Sequence, residues 1–460
     1  MTSDIINRLK KIVGNNDVLT SKISMEIYAY DSSPFVYQPG AVVFPESTEE
    51  VAEIMKLANE TGVKVVPRGA GTCLSGGAVT PDEGIILVLT KMDRILDIDV
   101  INETALVETG VVNINLTKSV ESMGYMFAPD PASLKVATIG GNVAECAGGI
   151  KGVKYGVTKE HVLGMEVVLP TGEIVQLGGL PNPADNKPNL TGIFSGSEGT
   201  FGVITRILVK LTKKPEAVRT MIALFDSLDK AGEVVSAIVA KGIVPTTLEI
   251  MDKTSIRAVD DFLNLGFPRD AEALLLIEVD GYEVEVDGQI DTIAEICREM
   301  GASSYKKAEN EAERENLWKA RRSGNGALGR IKPAYIVQDA TVPRSKLPEM
   351  LRKVTELGQK YNIIIAQLAH AGDGNLHPQI LYDPKDETEY HRAEEISAEI
   401  FKAALEMGGC LTGEHGIGLE KLPYMELAFS KEDLEFKAKI KRTVDPNLIL
   451  NPGKVISVNS

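Results

Sequence analysis

Hydrophobic and polar positions alternate along this chain in two different textures. Met1-Thr-Ser-Asp-Ile-Ile-Asn-Arg-Leu-Lys-Lys-Ile-Val13 mixes apolar and charged residues at the spacing of an amphipathic helix. Val63-Lys-Val-Val66 and Gly84-Ile-Ile-Leu-Val-Leu89 are short apolar runs bounded by turn residues, and they predict buried strands. Farther on, helical periodicity over Leu228 to Lys241 and over Gln289 to Met300 is interleaved with a strand pattern over Leu274 to Val279. That interleaving suits an antiparallel sheet flanked by helices. Lys213-Lys-Pro215 marks the break between the two textures, and Leu180 to Pro188 reads as a polar loop. No stretch approaches the ~20 apolar residues of a membrane span; the longest runs are of the type Ala273-Leu-Leu-Leu-Ile277.

Glycine punctuates the first texture three times. The first cluster is Pro67-Arg68-Gly69-Ala70-Gly71-Thr72-Cys73-Leu74-Ser75-Gly76-Gly77, set between the two predicted strands. A strand, a glycine-rich loop and a strand suggest backbone amides turned toward an anion such as a pyrophosphate. Leu74 stands where a dinucleotide fingerprint wants its third glycine and no helical pattern follows at once, so a Rossmann site is not expected. The second cluster runs Pro129-Asp130-Pro131-Ala132-Ser133, then Thr138-Ile139-Gly140-Gly141-Asn142-Val143-Ala144-Glu145-Cys146-Ala147-Gly148-Gly149, with Tyr155 and Gly156 shortly after. The third is Gly196-Ser197-Glu198-Gly199-Thr200-Phe201-Gly202-Val203-Ile204. Three such loops in one stretch argue for a large, extended ligand.

Three of the chain's 5 histidines lie in two short windows near the C-terminus, His370-Ala-Gly-Asp-Gly-Asn-Leu-His377 and Gly413-Glu414-His415-Gly416-Ile417-Gly418. Both are glycine-rich and read as loops from which side chains can converge. His370, His377 and Glu414 make a candidate three-ligand set for a divalent metal, Zn²⁺, Fe²⁺ or Mn²⁺, with coordination positions left open for substrate. His415 is then left over as a candidate base.

Composition narrows the class. The 460 residues are 43% hydrophobic and 25% charged, enough for two or three domains with substantial cores. A net charge of -16 disfavours nucleic acid and anionic lipid as partners, and a small anionic substrate needs a local basic pocket. The N-terminal segment lacks the uninterrupted apolar core of a signal peptide, so a cytoplasmic protein is expected. Cys73, Cys146, Cys297 and Cys410 are scattered without a C-x-x-C pair, which argues against a disulfide framework, a zinc knuckle and an iron–sulfur cluster. Redox chemistry would need an organic cofactor.

Taken as a set, Pro67 to Thr72, Asp130 to Ser133, Thr138 to Asn142 and Gly199 to Val203 resemble the FAD-binding loops of the vanillyl-alcohol oxidase/p-cresol methylhydroxylase flavoprotein superfamily. His370 to His377, Gly413 to Gly418 and the ending Asp445-Pro-Asn-Leu-Ile-Leu-Asn-Pro-Gly-Lys454 resemble its branch of FAD-dependent D-2-hydroxyacid dehydrogenases, which holds D-lactate dehydrogenases and the glycolate oxidase catalytic subunit. The resemblance covers the chain from about Val42 to Lys454. It implies an α+β fold: a two-subdomain FAD-binding domain over 1–215, an α+β substrate cap with an antiparallel sheet over 216–407, and a segment 408–460 that returns to the FAD domain. It also implies that Arg321, three residues after Trp318, clamps the substrate carboxylate, and that Lys332 is a second cation there. Non-covalent FAD is expected, because tethered flavins of the superfamily often use a histidine in the first loops and none precedes His161. Many relatives carry Asn where Cys146 stands, which puts one hydrogen bond to the cofactor in doubt.

The activity so implied is oxidation of a D-2-hydroxy acid, D-lactate first and glycolate or D-2-hydroxyglutarate behind it, to the 2-oxo acid. His415 takes the hydroxyl proton while hydride passes to FAD. Onward transfer to an electron-transfer flavoprotein is favoured, with an iron–sulfur subunit as the other partner class and a homodimer as the expected self-association. Three rival readings share the N-terminal loops: an alkyl-ether phospholipid synthase, a phenol oxidase, and a non-catalytic flavin-binding subunit. The double histidine motif argues against the first two, and the third should lack the cap ligands.

Overall fold

A computed structural model describes residues 1–81, 83–179 and 189–458. The polar loop read over Leu180 to Pro188 lies outside the described residues. The chain divides into two compact units, one formed by residues 1–149, 157–214 and 414–460 and the other by residues 150–156 and 215–413.

The first unit holds two principal sheets. In the smaller, Ala41–Val43, Ile85–Val88 and Val65–Arg68 run parallel, and Val18–Leu19 is added antiparallel at one edge. The helix Thr48–Thr61 makes the crossover, starting at a Ser47 cap whose hydroxyl accepts the Glu50 amide and ending at Gly62 in the left-handed region. Every residue of Ala41–Val43 and Ile85–Val88 is buried, as strands covered on both faces must be. The predicted amphipathic N-terminal helix is Ser3–Val13; it buries Ile5, Leu9 and Val13 against this core. The tail returns here. Val65 donates to Ile449 O at 2.8 Å and Asn451 donates to Val65 O at 2.8 Å, so 449–451 extends the sheet past Val65–Arg68. The second sheet is antiparallel, in the order Ile95–Asp99, Thr104–Glu108, Val203–Lys210, Val162–Val168, Ile174–Gly178.

The second unit is built on one eight-stranded antiparallel sheet. Its strand order is Ser304–Lys307, Ala217–Phe225, Ala273–Gly281, Thr247–Asp252, Ile365–His370, Asn375–Tyr382, Ala334–Val337, with Ala340–Thr341 also paired to Asn375–Tyr382. Alternation along the strands separates the faces. Leu248, Ile250, Leu275, Ile277, Ala369 and Ile380 pack with the helices Leu228–Ala240, Glu283–Glu299, Leu347–Tyr361 and Glu387–Glu406. Leu276, Met251, Leu368 and Leu381 point the other way and meet Lys253–Leu263, Glu311–Arg322 and Gly324–Leu328. Residues 150–156, expected within the first domain, belong to this unit because Lys154 and Tyr155 both bond Asp280, Tyr155 Oη at 2.9 Å.

Candidate active site

Both histidines of the first window lie on strands. His370 ends Ile365–His370, His377 sits inside Asn375–Tyr382, and only 371–374 form the turn. The loop expectation is corrected here: glycine supplies the sharp turn, with Gly374 at φ +82°, while the flanking residues alternate in the ladder. Register places His370 opposite Asn375 and Leu368 opposite His377, so the histidines are diagonal neighbours on one face. Their ring centroids are 4.9 Å apart with planes 82° apart.

Each imidazole is held by an outer acceptor. His370 Nδ1 lies 2.6 Å from Glu249 Oε1, and His377 Nδ1 lies 3.3 Å from the Gln338 carbonyl oxygen. A carbonyl only accepts, and so does an ionised carboxylate, so Nδ1 carries a proton on both rings. A metal-binding histidine pair is supported in this way. Glu249 is fully buried on the Thr247–Asp252 strand. Burial alone would push its carboxyl up, but His370 and Arg321 outweigh burial and hold it below the ordinary value.

Arg321, in the last turn of Glu311–Arg322, gives its Nε–H to Glu249 Oε2 at 2.7 Å and is 14% exposed. Trp318 is a core anchor whose indole N–H donates to Glu278 at 2.8 Å. Lys332 is placed elsewhere. Its ammonium is bound by both Glu389 oxygens, at 2.9 and 3.0 Å. It precedes the strand whose Ala334 pairs Tyr382, five residues or ~17 Å along that strand from His377. Lys332, expected as a second substrate cation, is thus engaged by Glu389 beyond the Ala334–Tyr382 end of the ladder.

In the first unit the three glycine clusters converge. A Cβ at Gly141 would sit 3.1 Å from Thr138 Oγ1, one at Gly199 would sit 3.3 Å from Pro67, and one at Gly77 would sit 3.0 Å from Glu145 Oε1. Side chains larger than hydrogen would close these approaches. Thr138 caps Ile139–Glu145 by accepting the Gly141 amide at 3.2 Å. Cys146 ends that helix in the left-handed region at φ +52°, a conformation Asn tolerates better than most residues. Arg68 is turned to structure, donating to Tyr30 O at 2.8 Å and Ala78 O at 3.2 Å. Val203 and Ile204 bury their side chains in the core, which leaves only their backbone for a ligand. Tyr155 and Gly156 both fall in the second unit, apart from the other expected cofactor residues, because Asp280 fastens the short helix that Gly156 ends, and Val157 resumes the first unit.

Glu414 and His415 begin the last segment of the first unit, directly after Gly413 of the second. Within the first unit, Ser75 Oγ donates to His415 O at 3.0 Å, and Glu198 accepts the amides of Ile417 at 2.6 Å and Gly418 at 2.8 Å. The glycine clusters thus also fasten this loop. A Cβ at Gly416 would lie 2.7 Å from Glu145 Oε2 and 2.7 Å from Glu198 Oε1. Both carboxyls are pushed up, chiefly by burial, and each stands beside the other.

Sequence reasoning missed Glu249, because 121 residues separate it from His370 and no spacing rule connects them. The available signal was an acidic residue in an otherwise apolar strand, Thr247-Leu-Glu-Ile-Met251.

Comparison with known proteins decides the family. The description "FAD linked oxidases, C-terminal domain" matches residues 214–455, more than half of the chain, and "FAD binding domain" matches residues 39–178. The chain belongs to the FAD-linked oxidase family. The glycolate oxidase subunit GlcD of Bacillus subtilis (strain 168) is 41% identical over 458 residues, 99% of this chain and 97% of that protein. A D-lactate dehydrogenase of Anaerostipes hadrus is 34% identical over 470 residues, 99% of this chain and 98% of that protein. Among solved structures, p-cresol methylhydroxylase with substrate bound superposes at a TM-score of 0.81 with 18% identity, covering 99% of this chain and 97% of that one. At that identity the likeness shows the fold, and it agrees with the expected α+β architecture and antiparallel cap sheet. This FAD-linked oxidase is a flavin-dependent oxidoreductase. No described helix is long and apolar enough to cross a membrane.

Proposed function

We propose that this FAD-linked oxidase oxidises a short 2-hydroxy acid, D-lactate or glycolate, to the 2-oxo acid. In this reading His370, His377 and Glu414 hold a divalent metal, Arg321 binds the carboxylate and His415 is the base. The observation that carries the reading is the histidine pair on one sheet face, each Nδ1 committed to an outer acceptor. Glu414 supports it through chain continuity: the Gly413 amide donates to Asp339 at 3.0 Å, a Cβ there would lie 2.6 Å from Asn375, and Glu414 follows by one peptide bond. FAD fits the first unit on an independent observation. The Asn142 side chain is buried beside Gly140 and Gly141, and its Nδ2 has no hydrogen-bond partner among the described residues, as a donor awaiting a cofactor acceptor would.

Bound FAD supplies a two-electron acceptor, and a divalent metal, Zn, Fe or Mn, supplies Lewis acidity toward the substrate's hydroxyl and carboxylate oxygens. The residues do the rest. Arg321 orients the carboxylate with a planar fork whose Nε is already fixed by Glu249. His415 receives the C2 hydroxyl proton as C2 gives up its hydride.

Substrate names come from relatives alone. The protein named for glycolate is more similar than the one named for D-lactate, which puts glycolate level with lactate as first choice. GlcD is named as a subunit, and onward electron transfer to a partner protein, an electron-transfer flavoprotein or an iron–sulfur subunit, belongs to this proposal. Synthase and phenol-oxidase neighbours share only the fold at 18–20% identity.

Steady-state rates on a panel of D- and L-2-hydroxy acids with a dye acceptor test the reading. Turnover of glycolate or D-lactate, with the L-enantiomer slow, is expected. Absence of flavin bleaching by every acid on the panel would overturn it.

A further inference from the structure

Glu249 is a fully buried carboxylate that touches two of the candidate active-site side chains, and it spends a different oxygen on each. Oε1 takes the His370 Nδ1–H at 2.6 Å and Oε2 takes the Arg321 Nε–H at 2.7 Å. Both partners come from other elements, His370 from the adjacent strand, where it pairs Glu249 in register, and Arg321 from the helix packed on that face. The strand holds the carboxylate rigidly: its backbone is paired on both sides, and Leu248 and Ile250 flank it in the opposite core.

We propose that Glu249 is a positioning residue that sets the metal ligand and the carboxylate clamp together, by fixing the ring plane and tautomer of His370 and by holding Arg321 through its Nε. This rests on the function proposed above. The physical argument runs through what each partner has left. A histidine whose Nδ1–H is held by a carboxylate would bind a metal through Nε2, in one orientation and with raised basicity, which is how a metal-binding imidazole is tuned. An arginine bonded through Nε keeps its two Nη groups, which form no hydrogen bond with the described residues, so the edge of the fork that suits a carboxylate is the edge not used by Glu249. One buried anion also balances the cation that the site needs for an anionic substrate, so Arg321 does not stand uncompensated where it is 14% exposed. Loss of Glu249 should therefore weaken two measurable functions at once, neither of which a merely structural core residue would single out.

The test uses the full-length flavoprotein. Glu249→Gln keeps the volume but replaces one acceptor oxygen by an amide that cannot accept. Its affinity for Zn²⁺ or Mn²⁺, measured by chelator competition on metal-stripped protein, should fall 10- to 100-fold, the scale of losing an outer partner of a metal-binding histidine. KM for the acid should rise, while the flavin spectrum, carried by the other unit, stays unchanged. Metal affinity and KM equal to the unsubstituted protein would overturn the proposal. His377→Ala, run in parallel, separates the two levels. If neither the unsubstituted protein nor His377→Ala binds metal, the functional reading itself fails; if those two differ while Glu249→Gln binds normally, only the role of Glu249 fails. Should Glu249→Gln not fold, ¹⁵N-histidine spectra of the unsubstituted protein decide: an Nδ1–H tautomer for His370 is expected, and an Nε2–H tautomer overturns the proposal.

Discussion

Glu198 accepts the backbone N–H of Ile417 at 2.6 Å, and its second oxygen takes the next amide, Gly418, at 2.8 Å. The residue itself sits at φ +51°, an uncommon conformation for a side chain of its size. One part-buried and one buried donor, three and four residues after Glu414, thus depend on one carboxylate. Glu198→Ala leaves both amides without their acceptor, at about 1–3 kcal/mol each. We expect a lower melting temperature together with a lower kcat, because the loop bearing Glu414 and His415 loses its anchor. Thermal denaturation alongside steady-state kinetics checks this, and unchanged turnover in a folded Glu198→Ala protein would refute the anchoring role.

The neighbouring Glu145 gives a pH dependence. Burial and the Glu198 carboxylate push its carboxyl well above the ordinary value of 4.5, with Asp31 adding to the rise and Cys73 and Lys454 opposing it. The folded chain then holds a proton that the unfolded chain has released, so stability falls as pH rises from about 4.5 toward the folded pKa. Each unit of the rise is worth about 1.4 kcal/mol. Glu145→Gln has no proton to lose. The stability of the variant relative to the parent should therefore grow with pH above about 4.5, measured from denaturant midpoints across the range.

His377→Ala should remove bound metal and turnover while leaving the flavin spectrum in place. His415→Ala should keep the metal and slow flavin reduction by roughly 10²–10⁴-fold, the scale of losing a general base. Metal analysis and stopped-flow spectra read the two effects separately.

Arg321 and Lys332 should behave unlike one another. Arg321→Lys cannot reproduce the fork and should raise KM, whereas Lys332→Met should leave KM near normal. It breaks a half-exposed pair with Glu389, worth roughly 0–1 kcal/mol. A large KM change in Lys332→Met would restore it as a substrate cation.

Flavin should be released on acid denaturation, colouring the supernatant. His161 is buried edge-on to Phe127, with ring centroids 6.1 Å apart, and the Cys146 thiol is pushed up by burial, away from reactivity. Colour that stays with the precipitate would mean a covalent link.

What the sequence made legible was local. The strands Val65–Arg68 and Ile85–Val88, the helix Leu228–Ala240 and the strand Ala273–Gly281 all follow from apolar spacing within a dozen residues. The histidine windows were visible because histidine is scarce here, yet glycine made both look like loops when one is a hairpin whose strands carry the ligands. Long-range pairing was not legible. Glu249 finds His370 across 121 residues, and Lys154 finds Asp280 across 126, and with it residues 150–156 leave the domain their sequence neighbours join. The Lys332 pair with Glu389 was equally out of reach of the sequence, since 57 residues separate the two.

Val65 accepts its last backbone partner from Asn451, and Lys454 Nζ donates to Gly77 O at 2.8 Å and to Asn451 Oδ1 at 2.7 Å. During synthesis the glycine clusters emerge early, but their final bracing comes 240 residues after Lys214, counting to Lys454. At about 5–20 residues per second, that interval lasts about 12–48 s. Through it, the Val65–Arg68 strand has one unpaired edge while the intervening unit has time to fold. The nascent chain is thus most exposed to misassembly and chaperone capture at the unit that begins first and finishes last.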